Sequence, residues 1–130
     1  MKANELRIGN LVKWYDVSKV LELHSEKNKF DNVYIECEES FEWTEYNKLD
    51  PIPLTEEWLL KFGFENVHTD WFYKDIAKTN SYQFCFNICL SNGKITLDSG
   101  FDENSIIKLK HVHQLQNLYF ALTGAELTVA

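Results

Sequence analysis

Residues 82–98, YQFCFNICLSNGKITLD, carry the clearest structural pattern in the chain. Large apolar residues occupy every second position of its first half: Tyr82, Phe84, Phe86, Ile88 and Leu90. This period of two is typical of a β-strand with one buried face. Asn92 and Gly93 favour a type I′ hairpin turn, after which Ile95 and Leu97 return to the same face. With a strand-like segment at residues 67–74, the stretch predicts a three-stranded antiparallel sheet.

Short strands are also predicted in the first fifty residues. Residues 11–16, 17–23 and 33–37 are rich in β-branched and aromatic side chains, and residues 41–43 form a fourth candidate strand. Short antiparallel strands of this kind form a small SH3-like barrel or a twisted sheet, and we expect one of these two architectures for the N-terminal segment.

Two helices are predicted from capping residues and apolar spacing. Thr55 suits a helix N-cap after two prolines, and Gly63 is placed to end a helix of about two turns. A second helix over residues 112–123 is indicated by apolar residues at steps of three and four, with Gly124 as its cap. The apolar stripe consists of Val112, Leu115, Leu118, Tyr119 and Leu122. We expect both helices to pack on the aromatic face of the hairpin sheet, which makes the fold class α+β.

The length predicts a single compact domain over residues 1–130, with residues 1–50 and 51–130 as candidate subdomains. A hydrophobic content of 45% argues against a disordered chain. No segment resembles a secretory signal or reaches the roughly 18 apolar residues of a membrane span, so we expect a cytoplasmic protein without membrane contact. Three cysteines, an odd number, agree with a reducing compartment.

The negative charge is concentrated in residues 36–57, which hold eight acidic residues and one base, Lys48. Their difference equals the net charge of −7, so the remainder of the chain is balanced. Negative charge concentrated in one part of a protein favours basic partners and repels nucleic acid. The second half of the stretch has a structural explanation, because Glu56 and Glu57 fall in the first turn of the predicted helix, where the dipole favours carboxylates.

Residues 36–45 remain as the candidate binding segment. The predicted partner-contacting residues are Glu36, Glu38, Glu39, Phe41, Glu42, Trp43 and Glu45. The carboxylates could replace phosphates in a basic groove, with Trp43 as an anchor and the outer charges steering association. The alternative is a solvated strand edge whose charges prevent aggregation. A calcium site is a weaker interpretation, because the segment lacks the Asp/Asn spacing and turn glycine of a calcium loop.

Catalytic motifs do not emerge from the sequence. On a strand, His111 and His113 would face one side and could bind a metal, whereas at the start of a helix they point roughly 200° apart and could not. Neither the other histidines nor the cysteines are spaced to complete a zinc set. Cys37 lies beside three glutamates, which disfavour its thiolate form. An isoelectric point near 5.0 opposes direct binding of nucleic acid. We therefore predict a protein that is not an enzyme and requires no cofactor or metal.

Three segments resemble a family of short proteins common in Bacteroidetes genomes, prophages and phages: ELRIGNLV at residues 5–12, PIPLTEEWLLKFGF at 51–64 and VHQLQNLYFALTG at 112–124. They cover about a quarter of the chain, and residues 36–45 lie outside them. The resemblance implies phage or mobile-element origin and the cytoplasm of a bacterial host, and it supplies no catalytic residue. Small acidic phage proteins in such hosts include inhibitors of bacterial defence, anti-CRISPR proteins against RNA-guided RNA nucleases among them.

Three functions follow as hypotheses. The favoured one is a non-enzymatic inhibitor that binds a basic, nucleic-acid-binding host protein, such as a CRISPR effector, through residues 36–45. It would act by competing with the guide or by distorting guide binding, without contacting nucleic acid itself. The alternatives are a housekeeping interaction or structural module of a mobile element, and a small metal-dependent hydrolase or nuclease.

Overall fold

The computed structural model describes residues 1–23, 33–78, 83–90, 94–98 and 107–129. Within these ranges the chain forms two antiparallel sheets and two α-helices, which confirms the predicted α+β class. It divides into two compact units. The first unit comprises Met1–Pro53 and His111–Leu118, and the second comprises Leu54–Lys110 and Tyr119–Ala130.

The first unit contains a sheet of four strands among the described residues. They are β1 (Leu11–Trp14), β2 (Asp16–Leu23), β3 (Val33–Glu36) and β4 (Phe41–Thr44). The strands are antiparallel and lie side by side in sequence order, close to the four segments predicted from the sequence. A register shift between Val20 and Glu22 marks a bulge at Leu21 in β2.

One face of this sheet supplies the core of the first unit. The buried cluster contains Leu6, Val12, Val20, Val33, Ile35 and Leu49. Val33 and Ile35 are buried, while Tyr34, which lies between them, and Glu36, which follows Ile35, are half-buried. Because successive residues of a strand project from opposite faces, Tyr34 and Glu36 belong to the other face of the sheet, called here the outer face.

A buried amide fixes the first half of the last helix, α2 (Val112–Thr123), in the first unit. The Gln116 side chain is 2% exposed. It accepts a hydrogen bond from the backbone N–H of Leu11 at 2.8 Å and donates one to the carbonyl of Gly9 at 3.2 Å. The expectation that α2 packs entirely on the second sheet is therefore wrong, because polar contacts hold its first half to the start of β1.

The second unit contains a sheet of five strands within the described part of the chain. In spatial order they are β5 (Glu65–His68), β6 (Trp71–Lys78), β7 (Gln83–Cys89), β8 (Lys94–Asp98) and β9 (Ile107–Lys108). The predicted hairpin is confirmed in β7 and β8, where Phe86 is opposite Leu97 and Ile88 is opposite Ile95. The predicted turn at Asn92 and Gly93 lies outside the described residues.

The predicted continuous strand at residues 67–74 is wrong, because the chain reverses after His68. Thr69 adopts a φ of +38°, a conformation that β-branched residues rarely enter. The Asn66 side chain supports the reversal by donating a hydrogen bond to the carbonyl of Thr69 at 2.9 Å. The segment consequently forms two paired strands, β5 and β6.

The first helix, α1 (Glu56–Lys61), has the predicted capping residues. The Thr55 hydroxyl accepts a hydrogen bond from the backbone N–H of Trp58 at 3.4 Å. At the other end, Gly63 has a φ of +85°, and the N–H groups of Gly63 and Phe64 each donate to carbonyls of the last turn at 3.0 Å. This pair of hydrogen bonds is a Schellman motif, and it satisfies carbonyls that the helix end would leave without partners.

The second half of α2 belongs to the second unit. Tyr119 stacks on Phe86 with ring centroids 5.9 Å apart, so this part of the helix does meet the aromatic strand β7 as predicted. Leu122, the last residue of the predicted apolar stripe, is 45% exposed. Among the described residues, no helix has both the length and the apolar character that crossing a membrane requires.

Candidate functional site

The predicted partner-contacting residues do not share one surface. Glu36 ends β3, and Phe41, Glu42 and Trp43 lie on β4. Glu38 and Glu39 are exposed in the connection between these two strands. Glu45 is half-buried and follows β4. The acidic segment is therefore divided between a strand face, a turn and a strand end.

Alternation along β4 separates Glu42 from the two aromatic residues beside it. Glu42 is opposite Ile35, whose side chain is fully buried on the core face. Phe41 is opposite Glu36 and Trp43 is opposite Tyr34, both of which are on the outer face. The aromatic residues of β4 consequently lie on the outer face, and Glu42 projects toward the other side of the sheet.

On the outer face, the ring of Tyr34 is adjacent to the rings of Phe41 and Trp43. Tyr34 lies 6.1 Å from Phe41, with ring planes 23° apart, and 4.9 Å from Trp43, with ring planes 33° apart. Phe41 is 58% exposed and Trp43 is 42% exposed. Side chains of this size and apolar character dominate the energetics of cores and interfaces, so their exposure as a group indicates an interaction surface.

The register of the sheet extends this cluster into two rows across β2, β3 and β4. One row contains Lys19, Glu36 and Phe41, and the other contains Glu22, Tyr34 and Trp43. Residues directly opposite each other on neighbouring strands place their side chains on the same face. The carboxylates of Glu36 and Glu22 therefore flank the aromatic rings. These six residues are called here the outer-face site.

An ion pair lies within the first row. The Lys19 ammonium is 3.7 Å from the Glu36 carboxylate, and both side chains are about half exposed. An exposed pair of this kind contributes only about 0–1 kcal/mol, so it can be exchanged at low cost for a contact with a partner.

Tyr34 and Glu22 are members of the site that the sequence reasoning missed. The alternation of Val33, Tyr34 and Ile35 carried a usable signal for Tyr34, because the residue between two core positions must be on the outer face. Glu22 gave no such signal. The bulge at Leu21 shifts the register by one residue, and without it Glu22 would not be opposite Tyr34.

Two further exposed apolar side chains lie on the outer face of β2 and in the β1–β2 connection. Val17, two residues before Lys19 on β2, is 48% exposed. Tyr15, in the connection itself, is 85% exposed and adopts a φ of +59°. Its ring meets that of Trp14 edge-on at 4.7 Å. A bulky residue held in the left-handed region costs stability, which is common where a side chain has a binding role.

Comparison with known proteins gives no relative from which a role could be transferred. No protein-family model, curated protein or solved structure matches this chain.

The two histidines at the start of α2 form a separate cluster, and their predicted divergence is wrong. The rings of His111 and His113 are stacked, with centroids 5.7 Å apart and planes 15° apart. The helical angle does not apply, because His111 precedes the helix and pairs with Pro53 in a β-bridge. Within the described residues no group of three His, Cys, Asp or Glu side chains is placed to hold a metal ion.

His113 is the buried member of this pair. Its side chain is 4% exposed, and its Nδ1 atom has no hydrogen-bond partner among the described residues. Burial lowers the pKa of His113 below the ordinary value of 6.5, and the nearby His111 lowers it further. The ring is consequently neutral near pH 7, which suits a packing role in the first unit.

Proposed function

We propose that the chain is a non-enzymatic inhibitor of phage or mobile-element origin that binds a basic, nucleic-acid-binding host protein through its outer-face site. The observation that supports this most directly is the exposed cluster of Phe41, Tyr34 and Trp43 with Glu36 and Glu22 beside it. The proposal requires neither a cofactor nor a metal ion.

The composition of the site suits protein recognition. Aromatic side chains that are rigid and partly exposed in the free protein are typical anchors of protein–protein interfaces, because they bury large areas at a low cost in side-chain entropy. The carboxylates beside them give charge complementarity to a basic surface. The excess negative charge of residues 36–57 would speed the encounter with such a partner.

The finer form of the proposal names an RNA-guided nuclease in the cytoplasm of a Bacteroidetes host as the partner. It is supported by the resemblance of residues 5–12, 51–64 and 112–124 to a phage-associated family. The nucleic-acid channel of such an enzyme is lined with Arg and Lys, which an acidic and aromatic surface can occupy. Inhibition would then follow from competition with the guide or from distortion of guide binding.

The test uses a purified RNA-guided RNA nuclease from a Bacteroidetes host and measures both binding and cleavage of target RNA. We expect the wild-type chain to bind and inhibit, and the double variant Phe41→Ala/Trp43→Ala to bind about 30-fold or more weakly, because truncation of two interface anchors costs more than about 1 kcal/mol each. Both residues are exposed, so the double variant should keep the wild-type circular dichroism spectrum.

Leu60→Ala serves as the matched control, because Leu60 is 49% exposed on α1, outside the outer-face site. This variant should inhibit as well as the wild type. Failure of the wild-type chain to bind the nuclease would overturn the named partner. Binding that is equally strong in the double variant would overturn the outer-face site as the contact surface.

A further inference from the structure

We propose that the outer-face site recognises arginine side chains and discriminates against lysine. This inference rests on the proposed function and specifies the chemistry of the partner. It depends on two features that occur together on one face: aromatic rings with large exposed surface, and carboxylates in the same cross-strand rows.

The aromatic surface favours a flat cation. The rings of Phe41 and Trp43 each lie within about 35° of parallel to the ring of Tyr34, and Phe41 and Trp43 are 58% and 42% exposed, so the site offers a broad aromatic surface. A guanidinium group is planar and weakly hydrated, and it stacks on such a surface. A lysine ammonium is compact and strongly hydrated, so it gains less from the same contact.

The carboxylates are placed to complete the contact. Glu36 is directly opposite Phe41, and Glu22 is directly opposite Tyr34. Opposite residues on one face have Cβ atoms about 5 Å apart, so a guanidinium stacked on either ring lies within reach of the carboxylate beside it. Arginine can satisfy both contacts at once, because its fork donates two parallel hydrogen bonds to a carboxylate while its flat face covers a ring.

The ion pair already present on the outer face can be exchanged for a contact with an arginine of the partner. Lys19 is 3.7 Å from Glu36 in an exposed pair, which a bidentate arginine contact can replace. Glu42, by contrast, projects toward the opposite face and cannot take part in the same contact, although it is adjacent to both aromatic residues in the sequence. The inference therefore distinguishes two glutamates that the sequence alone presents as equivalent.

The experiment measures the affinity of the chain for fluorescently labelled oligo-arginine and oligo-lysine peptides of equal length at the same ionic strength. We expect the arginine peptide to bind about three- to tenfold more tightly, the size expected for cation–π stacking at a partly exposed site. Phe41→Ala/Trp43→Ala should abolish this preference. Glu36→Gln should weaken binding of the arginine peptide several-fold, and Glu42→Gln, which removes the same charge from the other face, should weaken it less.

The outcomes separate this inference from the proposed function. Equal affinity for the two peptides, lost in Phe41→Ala/Trp43→Ala, would overturn arginine selection and leave the outer-face site as a surface for basic proteins. Affinity that is unaffected by Phe41→Ala/Trp43→Ala and equally weakened by Glu36→Gln and Glu42→Gln would overturn both arginine selection and the outer-face site as a contact surface. The absence of binding of either peptide at low salt would also overturn both.

Discussion

At the scale of single residues, the buried histidine of α2 makes the first unit sensitive to acid. His113 is stacked on His111, and its Nδ1 has no hydrogen-bond partner among the described residues. A proton on this atom would introduce a charge into a buried position close to the positive end of the helix dipole. Burial is the main cause of the lowered pKa of His113, with His111 second, while Glu5 acts in the opposite direction.

The sign of the pH dependence follows from this shift. Because the pKa of His113 is lower in the folded chain than in the unfolded chain, the unfolded state takes up the proton first. Stability is therefore retained above the ordinary value of 6.5 and lost as the pH falls below it. We expect the free energy of urea unfolding to decrease between about pH 7 and about pH 5, and less so in His113→Leu. Equal pH dependence in the two proteins would contradict a buried, neutral His113.

Gln116 provides a second prediction for a single residue. Replacing it with leucine removes the partners of the Leu11 N–H and the Gly9 carbonyl, which the leucine side chain cannot restore. We expect Gln116→Leu to lower the free energy of unfolding by about 2–4 kcal/mol, because two backbone groups lose their hydrogen bonds. Gln114→Leu is the matched control on the same helix. Gln114 is half-buried and accepts a hydrogen bond from the His111 N–H at 3.1 Å, so its loss should cost less.

A smaller effect for Gln116→Leu than for Gln114→Leu in chemical denaturation would show that the buried amide does not hold α2 to the first unit.

The position of Gln116 also shows what the sequence could not supply. The polarity of the Gln116 side chain predicts an exposed residue, and its hydrogen bonds to Leu11 and Gly9 explain why it is buried instead.

At the scale of elements, the C-terminal cap of α1 supplies the next prediction. Gly63 has a φ of +85°, and a Cβ atom added there would lie 2.9 Å from the Lys74 ammonium. Gly124 has a φ of +72°, and among the described residues no atom beyond its own neighbours in the chain lies within 4 Å of the same Cβ position. Both Gly→Ala variants should lose about 1–2 kcal/mol from backbone strain. Gly63→Ala should lose slightly more, because the flexible Lys74 side chain must also move.

Thermal or urea unfolding of the two glycine variants measures this difference. If Gly63→Ala were as stable as the wild type, the Schellman motif would contribute nothing and α1 would be held by packing alone. Gly63→Asn should recover part of the loss, because asparagine tolerates the left-handed conformation better than alanine does.

The elements that were predictable from the sequence are those with local signals. Thr55 and Gly63 mark the two ends of α1, and the alternation of apolar residues over residues 82–90 indicated β7. The prediction was wrong at residues 67–74, where a β-branched residue at positive φ reverses the chain, and for the packing of the first half of α2, which depends on a hydrogen bond to a residue 105 positions away. The packing of α2 depends on tertiary context, and the reversal depends on a backbone conformation that is rare for a β-branched residue, so local propensity predicts neither.

At the scale of the whole molecule, the proposed function gives the acidic segment two roles. Glu38 and Glu39 are exposed in the connection between β3 and β4, where their charge would act at a distance on an approaching partner. Glu36 lies in the rows of the outer-face site and can contact the bound partner directly. The sequence already placed Phe41 and Trp43 among the acids as predicted partner contacts, but the grouping of carboxylates with rings on one face required the strand register.

The most direct test of the outer-face site is a residue-resolved NMR titration of the isotopically labelled chain with the oligo-arginine peptide. We predict that the largest chemical-shift changes occur at Glu22, Tyr34, Glu36, Phe41 and Trp43, with smaller changes at Glu38, Glu39 and Glu42. Changes that follow negative charge alone, equally large at Glu38, Glu39, Glu56 and Glu57 and absent from the aromatic residues, would contradict the proposal that this face of the sheet binds the partner.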